Sequence, residues 1–511
     1  MSHRRVIAVL AAAALATPLA IASAAPATAA PDDGDPAARL AKKLVRDSDA
    51  KDAHRHLRAL QAIADASGDN RAAGTDGYDR SAAYVYKTLK RAGYKVSYDT
   101  FKFTYVETLT EKLSVVSPTP GDVGIRAMTY TKSTPEGGVT AALAAPPVDA
   151  DGTTGCTASD YAAGAFTGKV ALIKRGGCTF AEKQAAAAEA GAVGAVIYNN
   201  VAGDLLGTLG DPAAGRIPTG GITLAAGEAL AAQVAAGPVE VKLDIQQLAE
   251  ERETTNVLAE TRGGDADKTV MLGAHLDSVQ DGPGINDNGS GSAGLLEAAD
   301  SLAKSKAKVK HKVRFAFWGA EELGLVGSTD YVGRLTDAQK QQIKLYLNFD
   351  MIASPNYGLF VYDGDDSDAT GAGPGPEGSA QLEKQITDFM DKRGLPHEGT
   401  DFTGRSDYGP FIAVGIPAGG TFTGAEGVKT PAQAAKFGGT AGVAYDPCYH
   451  AACDDIDNVS MKAFDANIDV IANAVGTYAL DLSALTAPVT SAPTAGGDTG
   501  GGGLHGDHAT E

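Results

Sequence analysis

The 511-residue sequence is low in charged residues, and among these the basic ones are the scarcer. Charged residues make up 21% of the chain, and 44 lysines and arginines stand against 63 aspartates and glutamates, for a formal net charge of −19. This deficit of positive charge argues against binding to nucleic acid or to an anionic membrane surface. The hydrophobic fraction of 43% indicates instead a globular protein of two or three domains with a sizeable core.

Cysteine is also scarce, with four in the chain and no C-x-x-C pair. The absence of such a pair argues against a structural zinc site made of thiolates, which is the alternative use of four cysteines. We predict two disulfides instead, Cys156–Cys178 and Cys448–Cys453, because disulfides are the default state of cysteines outside the cell.

A long apolar run occurs only within the first 30 residues. Arg4 and Arg5 precede it and small residues in A-x-A spacing follow it, a pattern typical of a secretory signal peptide. An uncleaved membrane anchor is the alternative, since the run is about as long as a short membrane span. No later segment is apolar enough to cross a bilayer. We therefore expect a secreted protein, with residues 31–47 as a polar lead-in or short propeptide.

The rest of the chain alternates between two styles of sequence. Residues 48–112 and 249–485 combine helix-like repeats with strand-like runs such as "TVMLGAH" and "KVRFAFWGAEE". This pattern predicts an α/β domain whose mostly parallel, mixed sheet is flanked by helices. Residues 113–248 are richer in Ala, Gly and Val and have short strands, which predicts an inserted β-rich α+β domain. Residues 486–511, rich in Gly, Pro and Thr, are predicted to be disordered.

Imidazole and carboxylate side chains follow several predicted strands. In open α/β sheets, sites lie beyond the carboxyl ends of the strands. The candidates are His275, Asp277 and Asp287 after "TVMLGA", Glu321 and Glu322 after "VRFAFWGA", Asp350 after "LYLNF", and His450 between Cys448 and Cys453.

These residue types predict a site for zinc or a similar divalent ion. Two histidines and three acids exceed what one catalytic ion with an open position needs, and they suit two ions that share a carboxylate. Two ions about 3.5–4 Å apart can bind both the attacking water and the carbonyl under attack. Singly, each residue has a commoner structural explanation, such as a core histidine, a solvated acid pair or a helix cap. The hypothesis depends on their joint occurrence.

Five motifs in this order resemble the secreted double-zinc aminopeptidases of bacteria. They are "AHLDSVQDGPGINDNGSGSAG", "FWGAEELGLVGS", "LNFDMI", "GRSDYGPF" and "CYHAACDD". The same clan includes glutamate carboxypeptidases and the transferrin receptor ectodomain, and the resemblance implies the zinc-exopeptidase fold. It covers roughly residues 48–107 and 250–485, and the middle segment resembles a protease-associated domain.

The resemblance implies a role for each candidate residue, as follows. The first zinc would be bound by His275 and Asp350, the second by Glu322 and His450, with Asp287 as the bridge. Glu321 would be the general base, and Asp277 would orient His275 through the ring nitrogen that does not bind metal. Tyr449 would donate a hydrogen bond to the oxyanion, and Arg405 would lie near the substrate amino group. Phe422 and Met351 would line an apolar pocket for the first side chain of the substrate.

The activity implied is hydrolysis of the N-terminal peptide bond of peptides and proteins. Substrates with a large hydrophobic first residue such as Leu should be preferred. The protein is expected to be a monomer. The family also suggests a calcium site at Asp47, Asp465 and Asp469, for which a solvated helical face is the alternative. A related carboxypeptidase, a glutaminyl cyclase, an endopeptidase and a non-catalytic binding ectodomain are the rival functions. For the inserted domain, gating of large substrates, partner binding and passive stabilisation remain open.

Overall fold

The computed structural model describes residues 34–201, 203–371 and 373–489. The predicted signal segment and nearly all of the predicted tail lie outside these residues. No helix in the described part of the chain combines the length and the apolar character needed to cross a membrane.

Fourteen strands occur in the described residues. They are β1 (Lys95–Ser117), β2 (Gly121–Val123), β3 (Arg126–Ala127), β4 (Val139–Ala144), β5 (Val170–Lys174), β6 (Gly194–Tyr198), β7 (Thr219–Ile222), β8 (Glu240–Glu260), β9 (Asp265–His275), β10 (His311–Trp318), β11 (Ile343–Phe349), β12 (Phe360–Tyr362), β13 (Glu398–Thr400) and β14 (Ala418–Phe422).

Twelve α-helices accompany these strands in the described residues. They are α1 (Pro36–Asp47), α2 (Ala50–Asp65), α3 (Asp76–Ala92), α4 (Phe180–Glu189), α5 (Leu224–Ala236), α6 (Gly291–Ser305), α7 (Val326–Gly333), α8 (Asp337–Gln342), α9 (Ser379–Lys392), α10 (Tyr408–Ala413), α11 (Pro431–Phe437) and α12 (Met461–Tyr478). Short 3₁₀ segments span Ala158–Asp160 and Ser483–Thr486, and an irregular π-helical segment spans Ile285–Ser290.

The strands of the peptidase domain follow the order β13-β12-β14-β11-β9-β10-β8, with β1 also paired to β8. Strands β14, β11, β9 and β10 run parallel to one another, whereas β8 and β12 are antiparallel to their neighbours β10 and β14. Because parallel strands end at the same edge of a sheet, the residues that follow β9, β10 and β11 meet there. The predicted mostly parallel, mixed sheet is confirmed.

Side chains of the central strands alternate between two apolar layers, one on each face of the sheet. Val270 and Leu272 of β9 join the cluster that includes α2, α3, α6 and α12. Met271, between them, joins a second cluster with Tyr408 and Phe411 of α10. A central sheet whose strands are apolar on both faces is covered by helices on both sides.

The inserted domain is joined to the peptidase domain by two long strands rather than by a linker. Strands β1 and β8 pair antiparallel from Lys95–Glu260 to Ser117–Glu240, so the ribbon runs continuously from one domain into the other. Strand β4 pairs with the far end of β8, and β5, β6 and β7 continue in parallel from β4. The predicted boundaries at 112/113 and 248/249 both fall inside this ribbon.

Residues 36–47, predicted as lead-in or propeptide, form helix α1. Its apolar residues Ala37, Leu40, Ala41 and Leu44 are buried, at the spacing of one helix face, and α1 contacts α12. This segment is therefore packed into the core of the peptidase domain. Both predicted disulfides, Cys156–Cys178 and Cys448–Cys453, are present.

Candidate metal centre

Strand ends position the predicted ligands. His275 is the last residue of β9, and Asp350 directly follows β11. Glu321 and Glu322 lie in a tight turn after β10, in which the Gly324 and Leu325 amides both donate to the Glu321 carbonyl at 2.8 Å.

Asp287 and His450 come from loops at the same edge of the sheet. Asp287 lies in the irregular segment before α6, and the peptide that follows it is cis. His450 lies between the two cysteines of the Cys448–Cys453 disulfide.

The other four predicted ligands converge around Asp287. The Nε2 atom of His275 lies 3.1 Å from Asp287 Oδ1 and 3.2 Å from Asp350 Oδ1. The Nε2 atom of His450 lies 3.3 Å from Asp287 Oδ2 and 3.0 Å from Glu322 Oε2. The two oxygens of the Asp287 carboxylate therefore face different histidines, which is the arrangement of a bridge between two sites.

The donor set fits divalent cations that take nitrogen and oxygen ligands. His275, Glu321 and Asp350 form one group whose ligand atoms lie within 4.8 Å of one another, and His275, Asp287 and Glu322 form a second. Glu322 Oε1 is buried and has no hydrogen-bond partner among the described residues. A buried carboxylate oxygen without a partner is costly, and a cation between the histidines and acids would satisfy it.

The pKa values of these groups show how closely the charges are packed. Burial raises the pKa of Glu322 to about 7 despite the lowering effect of His450. Although burial lowers the pKa of His450, the carboxylates of Glu322 and Asp287 raise it to about 10. Burial opposes ionisation of Asp287, but hydrogen bonds from His275 and His450 hold its pKa below the usual range. Groups in such contact share protons, and metal binding would release those protons.

Glu321, the predicted general base, stands beside the ligands. Its Oε2 lies 3.9 Å from His275 Nε2. Burial raises the pKa of Glu321 well above its usual range, against the lowering effect of His275 and with the help of neighbouring Asp407 and Asp350. An acid with a raised pKa accepts a proton near neutral pH more readily than an exposed carboxylate does.

Asp277 contacts two of the motifs at once. Its Oδ1 lies 3.6 Å from His275 Nδ1, the ring nitrogen that points away from Asp287 and Asp350. Its two oxygens also accept the backbone amides of Glu321 at 3.2 Å and Glu322 at 3.3 Å. Orientation of His275 was expected from the resemblance, whereas the support of the Glu321–Glu322 turn was not.

Arg71 is a fully buried residue that the sequence analysis missed. Its guanidinium donates to the carbonyls of Leu276, Pro283 and Gly284, and its amide donates to the Ser278 hydroxyl at 2.9 Å. Burial lowers its pKa to about 10. Arg71 thereby holds the loop 276–284 that precedes Asp287. The local sequence "GDNRAAG" contains no pattern that predicts a buried arginine bound to backbone carbonyls.

Asp454 is a second residue missed by the sequence analysis. Its carboxylate accepts the backbone amides of Asn286 at 2.8 Å and Asp287 at 3.0 Å. Burial raises its pKa to about 8. Because Asp454 directly follows Cys453, the loop that supplies His450 also supports the backbone at Asp287. Its adjacency to "CYHAAC" is the one signal that pointed to it.

The "GRSDY" motif lies against Asp350 and the predicted base. The hydroxyl of Ser406 donates to Asp350 Oδ2 at 2.5 Å, and the Asn348 amide donates to Ser406 at 2.8 Å. Asp407 is fully buried, and burial raises its pKa to about 8. Ser406 therefore orients a predicted ligand, which the sequence analysis did not foresee.

Tyr449 and Arg405, predicted to contact substrate, lie close to the predicted ligands. The Tyr449 ring stacks on His450 with 3.8 Å between centroids. Burial raises the Tyr449 pKa well above its usual range, and neighbouring Glu426 raises it further, so its hydroxyl remains a donor. Arg405 Nη2 lies 3.5 Å from Glu426 Oε1.

The two predicted pocket residues lie on neighbouring segments. Met351 directly follows Asp350, is nearly buried, and accepts the Thr423 amide on its carbonyl at 3.0 Å. Phe422 precedes Thr423 and is half-buried, and its ring centroid lies 6.3 Å from that of Phe360. Phe422 thus keeps more exposed apolar surface than Met351.

The three residues of the calcium hypothesis have other partners. Asp47 pairs with Lys43 and Arg46, Asp465 accepts the Ala50 amide at 3.1 Å, and Asp469 pairs with Arg393. The groups of potential ligands found among the described residues do not include them. Basic partners already neutralise two of the three carboxylates, so calcium stays a prediction.

Residues with unusual backbone conformations surround the site. Ala320, Met351 and His450 have φ values of 56°, 47° and 55°, in the left-handed region that non-glycine residues rarely adopt. Each such residue costs of order 1–3 kcal/mol and persists where its surroundings impose it. All three are predicted ligands or the immediate neighbours of Glu321 and Asp350.

Two family models match the sequence. "Peptidase family M28" matches residues 256–475, and "PA domain" matches residues 139–230. "Leucine aminopeptidase 2" of Trichophyton tonsurans is 45% identical to this chain over 442 residues, which are 86% of each chain. This chain belongs to peptidase family M28. It carries an inserted PA domain, so the predicted family and the predicted insertion are both confirmed.

Solved structures agree with membership of family M28. The aminopeptidase from Aneurinibacillus sp. strain AM-1 has a TM-score of 0.70 and 28% identity, covering 88% of this chain and 98% of its own. A zinc aminopeptidase from Bacillus subtilis has a TM-score of 0.62 and 27% identity, covering 84% of this chain and 94% of its own. The M28 chain is therefore a peptidase with the fold of zinc aminopeptidases.

Proposed function

We propose that this M28 peptidase is an extracellular zinc aminopeptidase that uses two zinc ions to hydrolyse the N-terminal peptide bond of peptides and proteins. Its preferred substrates are peptides whose first residue is large and hydrophobic, such as Leu. In this proposal His275 and Asp350 bind one ion, Glu322 and His450 bind the other, and Asp287 bridges them.

The position of Asp287 carries the two-ion assignment. Its two oxygens lie 3.1 Å and 3.3 Å from the Nε2 atoms of two different histidines. A single ion would leave one histidine and one acid without a cation, in a pocket where both are nearly buried. The zinc aminopeptidase from Bacillus subtilis supports zinc as the metal.

Zinc, when bound, lowers the pKa of a coordinated water and polarises a carbonyl. Glu321 would take the proton from the attacking water and deliver a proton to the departing amine. Burial and the neighbours Asp407 and Asp350 raise its pKa, and zinc would counteract this rise when bound. The position of its Oε2, 3.9 Å from His275 Nε2, supports the role.

Tyr449 would donate a hydrogen bond to the carbonyl oxygen as negative charge develops there. Its raised pKa keeps the hydroxyl protonated, and its ring is held by stacking on His450. Donors aimed at a developing oxyanion stabilise the transition state more than the ground state.

Charge and shape at this edge of the sheet explain the proposed specificity. Zinc would offset the charges of the three acids that bind it, so among the acids at this edge Glu321 would supply the attraction for a substrate ammonium group, and a blocked N-terminus carries no such charge. Arg405 is expected near this ammonium group, and its pairing with Glu426 limits the repulsion. Phe422 and Met351 would form the apolar wall for the first side chain.

The two disulfides and the relatives support an extracellular location. We expect a monomer, and we keep calcium at Asp47, Asp465 and Asp469 as a secondary proposal. Size-exclusion chromatography with light scattering would test the monomer. Melting temperatures measured at increasing calcium concentrations would test the calcium site.

The main experiment compares leucine p-nitroanilide with its N-acetylated counterpart as substrates of the purified protein. Each assay is run before and after chelator treatment, after zinc is added back, and with Glu321→Ala. We expect cleavage of the free amine alone, its loss with chelator, and its recovery with a stoichiometry of two zinc ions per chain. Glu321→Ala should bind zinc but lose about 10²–10⁴-fold in kcat.

Other outcomes would assign other functions. Cleavage of the acetylated substrate would indicate an endopeptidase. Saturation of activity at one zinc per chain would contradict the bridging role of Asp287. Failure of zinc-loaded protein to cleave either substrate would favour a carboxypeptidase or a non-catalytic ectodomain.

A further inference from the structure

The turn that carries Glu321 and Glu322 is in direct contact with the inserted domain. The hydroxyl of Tyr130, in the inserted domain, donates to the carbonyl of Leu323 at 2.8 Å. Leu323 is the residue after Glu322, so a hydrogen bond from the other domain ends one residue from a proposed zinc ligand. Tyr130 itself is buried.

Leu323 also joins the apolar interiors of the two domains. Its side chain packs against the core of the inserted domain, which contains Tyr130 and Phe180. It also packs against a small cluster that contains Phe101 and Ala320, the residue before Glu321. The side chain therefore ties the position of the turn to the position of the inserted domain.

The backbones of the two domains meet at the next residue. Gly324 has φ +101°, and a Cβ atom placed there would lie 3.4 Å from the carbonyl oxygen of Gly210 in the inserted domain. That distance is ordinary van der Waals contact, so a larger residue at this position would be strained by its φ alone. The backbones of the two domains are therefore in van der Waals contact beside the turn.

On its other side, the turn is held by the peptidase domain. The carboxylate of Asp277 accepts the amides of Glu321 and Glu322 at 3.2 and 3.3 Å. Three consecutive residues are therefore held by hydrogen bonds from the two domains, two by Asp277 and the third by Tyr130.

The loop before Asp287 has a similar attachment. Asp281 pairs with Arg126 of the inserted domain, and the Gln280 side chain donates to the Val106 carbonyl at 2.7 Å on the connecting ribbon. Both loops that supply central carboxylates thus contact the insertion or the ribbon that leads to it.

We propose that the inserted domain positions the proposed catalytic carboxylates, and that Tyr130 is the main positioning residue. By holding the Leu323 carbonyl, Tyr130 sets the direction of the turn and hence the places of the Glu321 and Glu322 side chains. This inference rests on the roles given to those two acids under the proposed function. It assigns the insertion a part in catalysis rather than passive stabilisation alone.

The test compares two conservative variants of the full-length protein, Tyr130→Phe and Tyr161→Phe. Tyr161 belongs to the same buried cluster of the inserted domain, and its hydroxyl donates to Gly155 at 3.2 Å, within that domain. Each variant loses one buried hydroxyl, but only Tyr130→Phe loses a contact with the turn. The measurements are kcat and KM for leucine p-nitroanilide, zinc affinity by chelator competition, and melting temperature.

We expect Tyr130→Phe to lower kcat and zinc affinity by about tenfold each, the lower end of the effect of outer partners at metal sites. KM should change less than about twofold, because the substrate pocket is not touched. Tyr161→Phe should lower the melting temperature to a similar extent while it keeps wild-type kcat and zinc affinity. Equal kcat and zinc affinity in the two variants would overturn the proposal.

Glu321→Ala, assayed in parallel, separates this proposal from the proposed function. If Glu321→Ala kept wild-type kcat, the general-base role would fail, while the zinc affinity of Tyr130→Phe would still report the placement of Glu322. A wild-type zinc affinity and kcat in Tyr130→Phe, with Glu321→Ala inactive, would overturn the positioning role alone.

Discussion

The peptidase domain and the inserted domain both bury charged side chains, but the partners of these side chains differ. In the inserted domain, Lys183 is fully buried and its ammonium donates to the carbonyls of Thr154 at 2.8 Å and Gly176 at 2.6 Å. At the carboxyl edge of the peptidase sheet, by contrast, several acids and two histidines face one another. Burial of a charge is therefore common to both regions and marks function in neither.

What distinguishes the two regions is whether the buried group is satisfied by the protein itself. The Lys183 ammonium has three neutral acceptors, which are two backbone carbonyls and the Cys156 sulfur. Glu322 keeps one oxygen without a hydrogen-bond partner among the described residues, and burial raises its pKa to about 7. Like-charged groups held together without full pairing are a mark of sites that bind a ligand.

The strongest test of this contrast is removal of the Asp277 carboxylate. Asp277→Asn keeps the size of the side chain but weakens its interaction with the His275 ring. It also replaces one of the two oxygens that accept the Glu321 and Glu322 amides with an NH2 donor. We expect zinc affinity to fall about 10–100-fold, as for other outer partners of metal ligands. Competition with a chromogenic chelator measures it, and a wild-type affinity would show that Asp277 does not support the ligands.

The pH dependence of stability gives a second, smaller test. The pKa of Glu322 is raised from 4.5 to about 7 and that of Asp454 from 3.8 to about 8. A raised carboxyl pKa stabilises the fold fully below the unfolded value, and this contribution is lost as the pH rises through the folded value. Chelator-treated protein should therefore lose stability between about pH 3.8 and about pH 8.

Zinc-loaded protein should behave differently, because zinc binds the deprotonated ligands and binds them better as the pH rises. The difference in melting temperature between zinc-loaded and chelator-treated protein should widen from about pH 5 to about pH 8. Differential scanning calorimetry at several pH values measures it. A difference that stays constant or narrows would contradict the assignment of protons to this cluster.

The smallest effect on activity is expected from a substitution in the inserted domain. Lys183→Met removes a buried charge that is satisfied within the inserted domain. We expect unfolding free energy to fall by about 1–3 kcal/mol, because buried carbonyls lose their donor. The kcat of the folded enzyme should equal that of wild type. A large loss of kcat at unchanged zinc content would show that Lys183 also acts on the site.

Three of the predicted ligands follow recognisable local elements, and for these the sequence alone predicts a shared edge of the sheet. His275 ends an apolar strand, Asp350 follows another, and the "AEE" turn follows a third. Parallel strands then bring their ends together for reasons of topology alone. The family resemblance added which residue belongs with which ion, and those assignments remain proposals.

The supports of these ligands could not be predicted in the same way. Arg71 is 205 residues from the Leu276 carbonyl to which it donates, and Tyr130 is 193 residues from Leu323. Asp454 supports Asp287 across 167 residues. Backbone carbonyls and amides carry no sequence signature, so a side chain that serves them leaves no local pattern.

By itself, the sequence determined the family, the sheet with its insertion, the two disulfides and the set of candidate metal ligands, because each depends on local periodicity or on short motifs. Only the tertiary structure decided that Asp287 offers its two oxygens to different histidines, that α1 belongs to the core, and that the inserted domain reaches the Glu321–Glu322 turn. These features arise from contacts between distant segments, and the folded geometry sets those contacts.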